Sequence, residues 1–115
     1  MDKIKSINVE FGLTCGEALA TVEHEIEVLS FNKATKVLKV IHGYGSSGSG
    51  GVIKSGLTEL LKRLVKLKKI EDFVQNNKFG TLSDKYKKYT KIYPSLLLDS
   101  DLQNLNPGIT IVFLK

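Results

Sequence analysis

Val37 to Gly51 read VLKVIHGYGSSGSGG, an apolar run that ends at His42 and passes into five glycines and three serines within nine residues. The run is short, β-branched and bounded by glycine, which predicts a buried strand. From about residue 51 the period changes, and Ile53, Leu57, Leu60, Leu61, Leu64 and Leu67 fall on one helical stripe. The glycine stretch therefore joins a strand end to a helix start. A helix start carries unpaired N–H groups and a partial positive charge, and glycines let backbone donors approach an anion with no Cβ between them. The junction is a candidate phosphate cradle made of Gly43, Tyr44, Gly45, Ser46, Ser47, Gly48, Ser49, Gly50 and Gly51. The alternative is an ordinary flexible loop whose glycines serve tight turns.

Upstream, Ile4, Ile7, Val9 and Phe11 alternate loosely, a strand over about residues 4–11. Thr14 and Glu17 have the T-x-x-E spacing of a capping box, and Ala18, Leu19, Val22, Ile26 and Leu29 repeat at helical spacing behind it. His24 lies among the glutamates of the polar side and reads as exposed. Downstream, Ile70 to Val74 is a short strand, and Ile109 to Leu114 is a strong one introduced by the turn Asn106-Pro107-Gly108. The segment between them, about 76–105, is too long to lack structure in a small domain. Leu82, Tyr86, Tyr89 and Tyr93 share a helical face that ends at Pro94, so a short helix is expected. Packing of these tyrosines on the domain, with Lys85, Lys87, Lys88 and Lys91 in water, is favoured over stacking on bases.

A chain of 115 residues suits one domain with one modest core, and 42% apolar with 25% charged residues excludes a disordered class. No apolar run has the length of a membrane span, and the amino-terminal MDKIKSINVE lacks a signal-type hydrophobic segment, so a cytosolic protein with no membrane partner is expected. Cys15 is the single cysteine, which rules out an intrachain disulfide and suits a reducing compartment. The net charge of +5 is unevenly spread: residues 36–91 hold 13 Lys or Arg against four acids, whereas residues 1–35 hold three against six. Such asymmetry suits an anionic partner, nucleic acid first; on charge alone, a solvated lysine-rich surface that keeps the protein soluble is an equal alternative. Sixteen of the seventeen cations are Lys, which suits attraction to phosphates rather than reading of base edges.

Two familiar glycine motifs fit poorly. Gly43-x-Gly45-x-x-Gly48 satisfies the dinucleotide fingerprint, but Glu71 and Asp72 fall at the start of the following strand rather than at its end. Lys54-Ser55 suggests a P-loop, yet Ile53 stands where that motif needs its second glycine. His42-Gly43-x-Gly45, the amphipathic helix after it, the ending Gly108-Ile-Thr-Ile-Val-Phe-Leu114 and Gly12-Leu-Thr-Cys-Gly-Glu-Ala-Leu19 together resemble the Smr domain, the small MutS-related module. The resemblance covers roughly residues 4–74 and 106–115. It implies an α/β fold of two layers, β-α-β-α-β-β, with both main helices on one face of a four-stranded mixed sheet; here a helical insertion would precede the last strand. It also implies nucleic-acid binding, with DNA favoured over RNA, and in several members nicking or cleavage. The chain departs from the family's pattern at Tyr44, where a lysine is usual, and at Asn8 and Glu10, where an acid and a cation are usual.

The candidate site follows. His42 ends a strand at the mouth of the cradle, where an imidazole can move a proton or hold a phosphate oxygen, and Glu10 can add a carboxylate from the neighbouring strand. Lys54 and the loop amides would hold developing negative charge. Lys62, Arg63, Lys66 and Lys69 give the second helix a basic face for further phosphates. Two histidines and one cysteine make no zinc set, so neither metal nor cofactor is expected. A small nucleotide-binding module and a protein-interaction domain without catalysis remain as alternatives to an Smr-like nucleic-acid binder or nuclease.

Overall fold

The structure, a computed structural model, describes residues 3–43 and 50–115. Tyr44, Gly45, Ser46, Ser47, Gly48 and Ser49, on which much of the expected cradle falls, lie outside the described residues. The elements are β1 (Lys3–Asn8), α1 (Cys15–Leu29), β2 (Thr35–Ile41), α2 (Gly50–Lys66), β3 (Asp72–Gln75), α3 (Asp84–Ile92), α4 (Ser100–Gln103) and β4 (Ile109–Phe113), with 3-10 turns at Asn76–Lys78 and Pro94–Leu98. They build a four-stranded sheet of order β1-β2-β4-β3, in which β1 and β2 are parallel and β4 runs antiparallel to both its neighbours. This is the α/β arrangement that the sequence leads one to expect, with α1 and α2 on one face and a helical insertion before the last strand.

Local chemistry sets the element ends. The Thr14 hydroxyl accepts from Glu17 N at 3.1 Å and the Glu17 carboxylate accepts from Thr14 N at 2.9 Å, the reciprocal bonds of a capping box at the head of α1. β1 stops before Phe11, because the Asn8 side chain accepts from Glu10 N at 2.8 Å and turns the chain; Phe11 is left exposed. α2 likewise ends one residue short of Leu67, which is 58% exposed, and Lys68 adopts a positive φ of 61° as the chain reverses.

The helix face of the sheet is sealed by Ala18, Val22, Ile26 and Leu29 from α1 and Ile53, Leu57, Leu61 and Leu64 from α2, against Leu38, Val40 and Val112. The helices approach closely at Gly56, where an added Cβ would lie 3.1 Å from Leu19 Cδ1 and 3.3 Å from Cys15 Sγ. The opposite face is not open. Phe79, Tyr89, Leu96 and Leu102 of the insertion bury Val37, Val74, Ile109, Ile111 and Phe113. Tyr89 stacks on Phe113 with ring centroids 3.7 Å apart, and Tyr86 and Tyr93 pack beside them, so these tyrosines serve the core. Leu82 departs from that expected face: it precedes the Ser83 N-cap of α3 and is 87% exposed.

Lys39 marks where the insertion meets β2. It is buried, and its ammonium donates to Asp99 at 2.9 Å and to Asp101 at 3.1 Å. Burial alone would lower its pKa, but hydrogen bonds and charge from the two aspartates outweigh that and hold it above its ordinary value.

Candidate functional site

Successive side chains on a strand point to opposite faces, so every second residue of the sheet meets α1 and α2. On that face β2 presents Leu38, Val40 and then His42; β4 presents Val112 and, one step nearer the glycine stretch, Thr110; β3 presents Phe73 and then Gln75. Val40 and Gln75 flank Thr110 in register. β3 and β4 thus turn polar at Gln75 and Thr110, and β2 one step later at His42, all at the same end of the sheet beneath the head of α2.

His42 is fully buried, and both its ring nitrogens are engaged: Nδ1 lies 2.6 Å from the Gly43 carbonyl and Nε2 lies 2.9 Å from Thr110 Oγ1. A carbonyl only accepts, so Nδ1 carries the proton; neutral Nε2 then accepts from the threonine hydroxyl. Burial pushes the imidazole pKa below its ordinary value of 6.5; the Gly43 carbonyl opposes the shift and the charge of Lys54 adds to it. The ring is therefore a neutral brace between β2, β4 and the first residue of the glycine stretch. Gly43 has φ +73°, and a Cβ there would stand 2.7 Å from Glu10 Oε2, so both backbone and space call for glycine. The amides of His42 and Gly43 both donate to the Gly108 carbonyl, at 2.9 and 3.1 Å. No family model matches this chain, and no curated protein or solved structure shows significant similarity to it.

Lys54, in the second turn of α2, donates to the Pro107 carbonyl at 2.9 Å. Partial burial, and secondly the charge of Lys78, lower its pKa. One turn further on, the Thr58 hydroxyl accepts from Gln75 Nε2 at 3.2 Å and donates to the Lys54 carbonyl at 2.9 Å. His42, Gly43, Glu10 and Lys54 are thus gathered at one edge, with Gly50 and Gly51 opening α2 beside them. Lys62, Arg63 and Lys66 are not part of that gathering. They follow Gly50 by twelve to sixteen helical residues, roughly 18–24 Å along the axis. Lys62 lies 3.7 Å from Glu59, and Lys69 shares a cleft with Glu23 and Glu27. Acids therefore interrupt the expected basic face.

Thr110, Gln75 and Lys78 belong to the edge without having been singled out from the sequence. Thr110 left one trace there, as the only polar residue between Ile109 and Leu114. Lys78 left none, because its place depends on how the insertion folds. Among the described residues no three His, Cys, Asp or Glu side chains converge as a metal set, and no helix is long and apolar enough to cross a membrane.

Proposed function

We propose that this chain is an Smr-like nucleic-acid-binding domain whose phosphate site lies at the head of α2. The observation that carries the reading is the group of polar side chains His42, Thr110 and Gln75 at one end of β2, β4 and β3 beneath Lys54, on strands whose helix-facing residues Leu38, Val40, Val112 and Phe73 are apolar up to that point. Polar side chains are kept in a small core where geometry is needed, because burying them without partners is unfavourable. In this reading His42 is a positioning residue. It fixes the Gly43 carbonyl and hence the direction in which the chain enters the glycine stretch, while Lys54 and the first amides of α2 face the phosphate. The lysine-rich balance and the single Arg63 suit contacts to the backbone of the nucleic acid, with DNA the first choice.

Labelled single-stranded, duplex and branched oligonucleotides titrated at about 50 and about 200 mM salt test the proposal. For three phosphate contacts to a single strand, affinity should drop roughly twentyfold between the two conditions. A shallow salt dependence with strong preference for one mononucleotide would instead identify a nucleotide-binding module, and no binding by any nucleic acid or nucleotide would leave an interaction domain. Cleavage would require His42 to release Thr110 or Gly43 before it met a scissile phosphate. Comparison of plasmid nicking by the wild type, His42→Asn and Glu10→Gln tests that step, and equal rates would exclude both residues from it.

A further inference from the structure

The Asn76–Lys78 turn offers a surface lysine from a backbone that is anchored on both sides. Asn76 is fully buried, donates to the Leu102 carbonyl at 3.0 Å and accepts from Asn106 N at 2.8 Å; Phe79 is fully buried as well. Lys78 is exposed between these anchors. The same Asn106-Pro107-Gly108 turn that Asn76 grips also receives Lys54 through the Pro107 carbonyl. Lys54 and the turn that carries Lys78 thus border the same 106–108 segment; after partial burial, the charge of Lys78 also lowers the pKa of Lys54, and neither lysine has a carboxylate partner among the described residues. The carboxylate at this edge, Glu10, is held against Gly43. Two like charges brought to one edge without a carboxylate partner repel each other, and an anion between them relieves that repulsion.

We infer that Lys78 and Lys54 form a two-cation clamp on a single phosphate group at the head of α2, so that the insertion completes the site. The inference rests on the phosphate-binding reading above and adds to it a residue and a stoichiometry. Lys54 exchanges the Pro107 carbonyl for a phosphate oxygen, and Lys78 approaches from the end of β3, which lies at the same end of the sheet as the end of β2. The group bound is a phosphate of a nucleic-acid strand, internal or terminal.

The test is a titration of a single-stranded DNA, with and without a 5′-phosphate, against the wild type, K54Q, K78Q, the double variant and K91Q. Lys91 is exposed on α3 and controls for a loss of overall charge. K54Q and K78Q should each weaken binding by about tenfold, the loss of one charge-assisted contact, and K91Q by less than about twofold. The double variant should lose less than the product of the single losses, because both side chains hold one group. Loss on both strands would mean that an internal phosphate is held, and loss only with the 5′-phosphate a terminal one. If K54Q weakens binding while K78Q matches K91Q, the clamp is wrong and the phosphate reading survives. Fully multiplicative losses would also defeat it, by placing the lysines on separate phosphates. A wild type that binds neither strand at low salt removes the phosphate reading itself.

Discussion

His42 holds one tautomer because its two neighbours accept only one arrangement, a carbonyl at Nδ1 and a hydroxyl at Nε2. Its depressed pKa makes a stability prediction. Between the folded value and the ordinary 6.5 the unfolded chain binds more protons than the folded one, so stability rises with pH in that window. The contribution is complete above the ordinary value and is lost as pH falls through it toward the folded one. Urea midpoints should therefore be lower at about pH 5.5 than at about pH 7.5, and the His42-dependent part of the difference should vanish in His42→Asn, which keeps a donor for the Gly43 carbonyl. Undiminished pH dependence in that variant would assign it to other groups. Thr110→Val should cost about 1–3 kcal/mol in chemical unfolding, since it leaves His42 Nε2 buried with no donor.

The elements show which links between sequence and structure were direct. The strand Thr35–Ile41 and the amphipathic helix Gly50–Lys66 were legible because each period is written in consecutive residues, and Thr14 with Glu17 announced the start of α1 just as locally. What the insertion covers was not legible, since Phe79, Leu96 and Leu102 reach the sheet only through long-range packing. A hint was present: every residue of Ile109–Phe113 is buried, and a strand that reads apolar throughout needs cover on both faces. The tie of Lys39 to Asp99 and Asp101 gives a test of how the insertion docks. Lys39→Ala leaves Asp99 largely buried without its cation and should destabilise the domain by about 2–4 kcal/mol in urea unfolding, somewhat below the usual loss for a buried pair because Asp101 is half exposed. A variant as stable as the wild type would mean that the insertion is held by apolar contacts alone.

For the whole molecule, the sheet is a layer between two different covers. α1 and α2 form the cover that carries the candidate site, and the insertion forms the other while sending Lys78 to the same edge. Replacing residues 80–104 by a short linker should expose Ile109, Ile111 and Phe113 and yield aggregated or unfolded protein by size-exclusion chromatography and circular dichroism; a folded monomer would show that the second cover is dispensable. Charge is likewise divided, with Lys54 and Lys78 at one end of α2 and Lys62, Arg63 and Lys66 at the other. Neutralising the three distant cations should therefore reduce nucleic-acid affinity less than K54Q alone, apart from a general salt-sensitive loss. The most direct measurement is an amide-resolved NMR titration of the labelled protein with a single-stranded oligonucleotide. The account predicts shifts concentrated at Gly43, Gly51 to Lys54, Gln75 to Lys78 and Gly108 to Thr110. Shifts confined to α3 or to the far end of α2, with that edge silent, would contradict it.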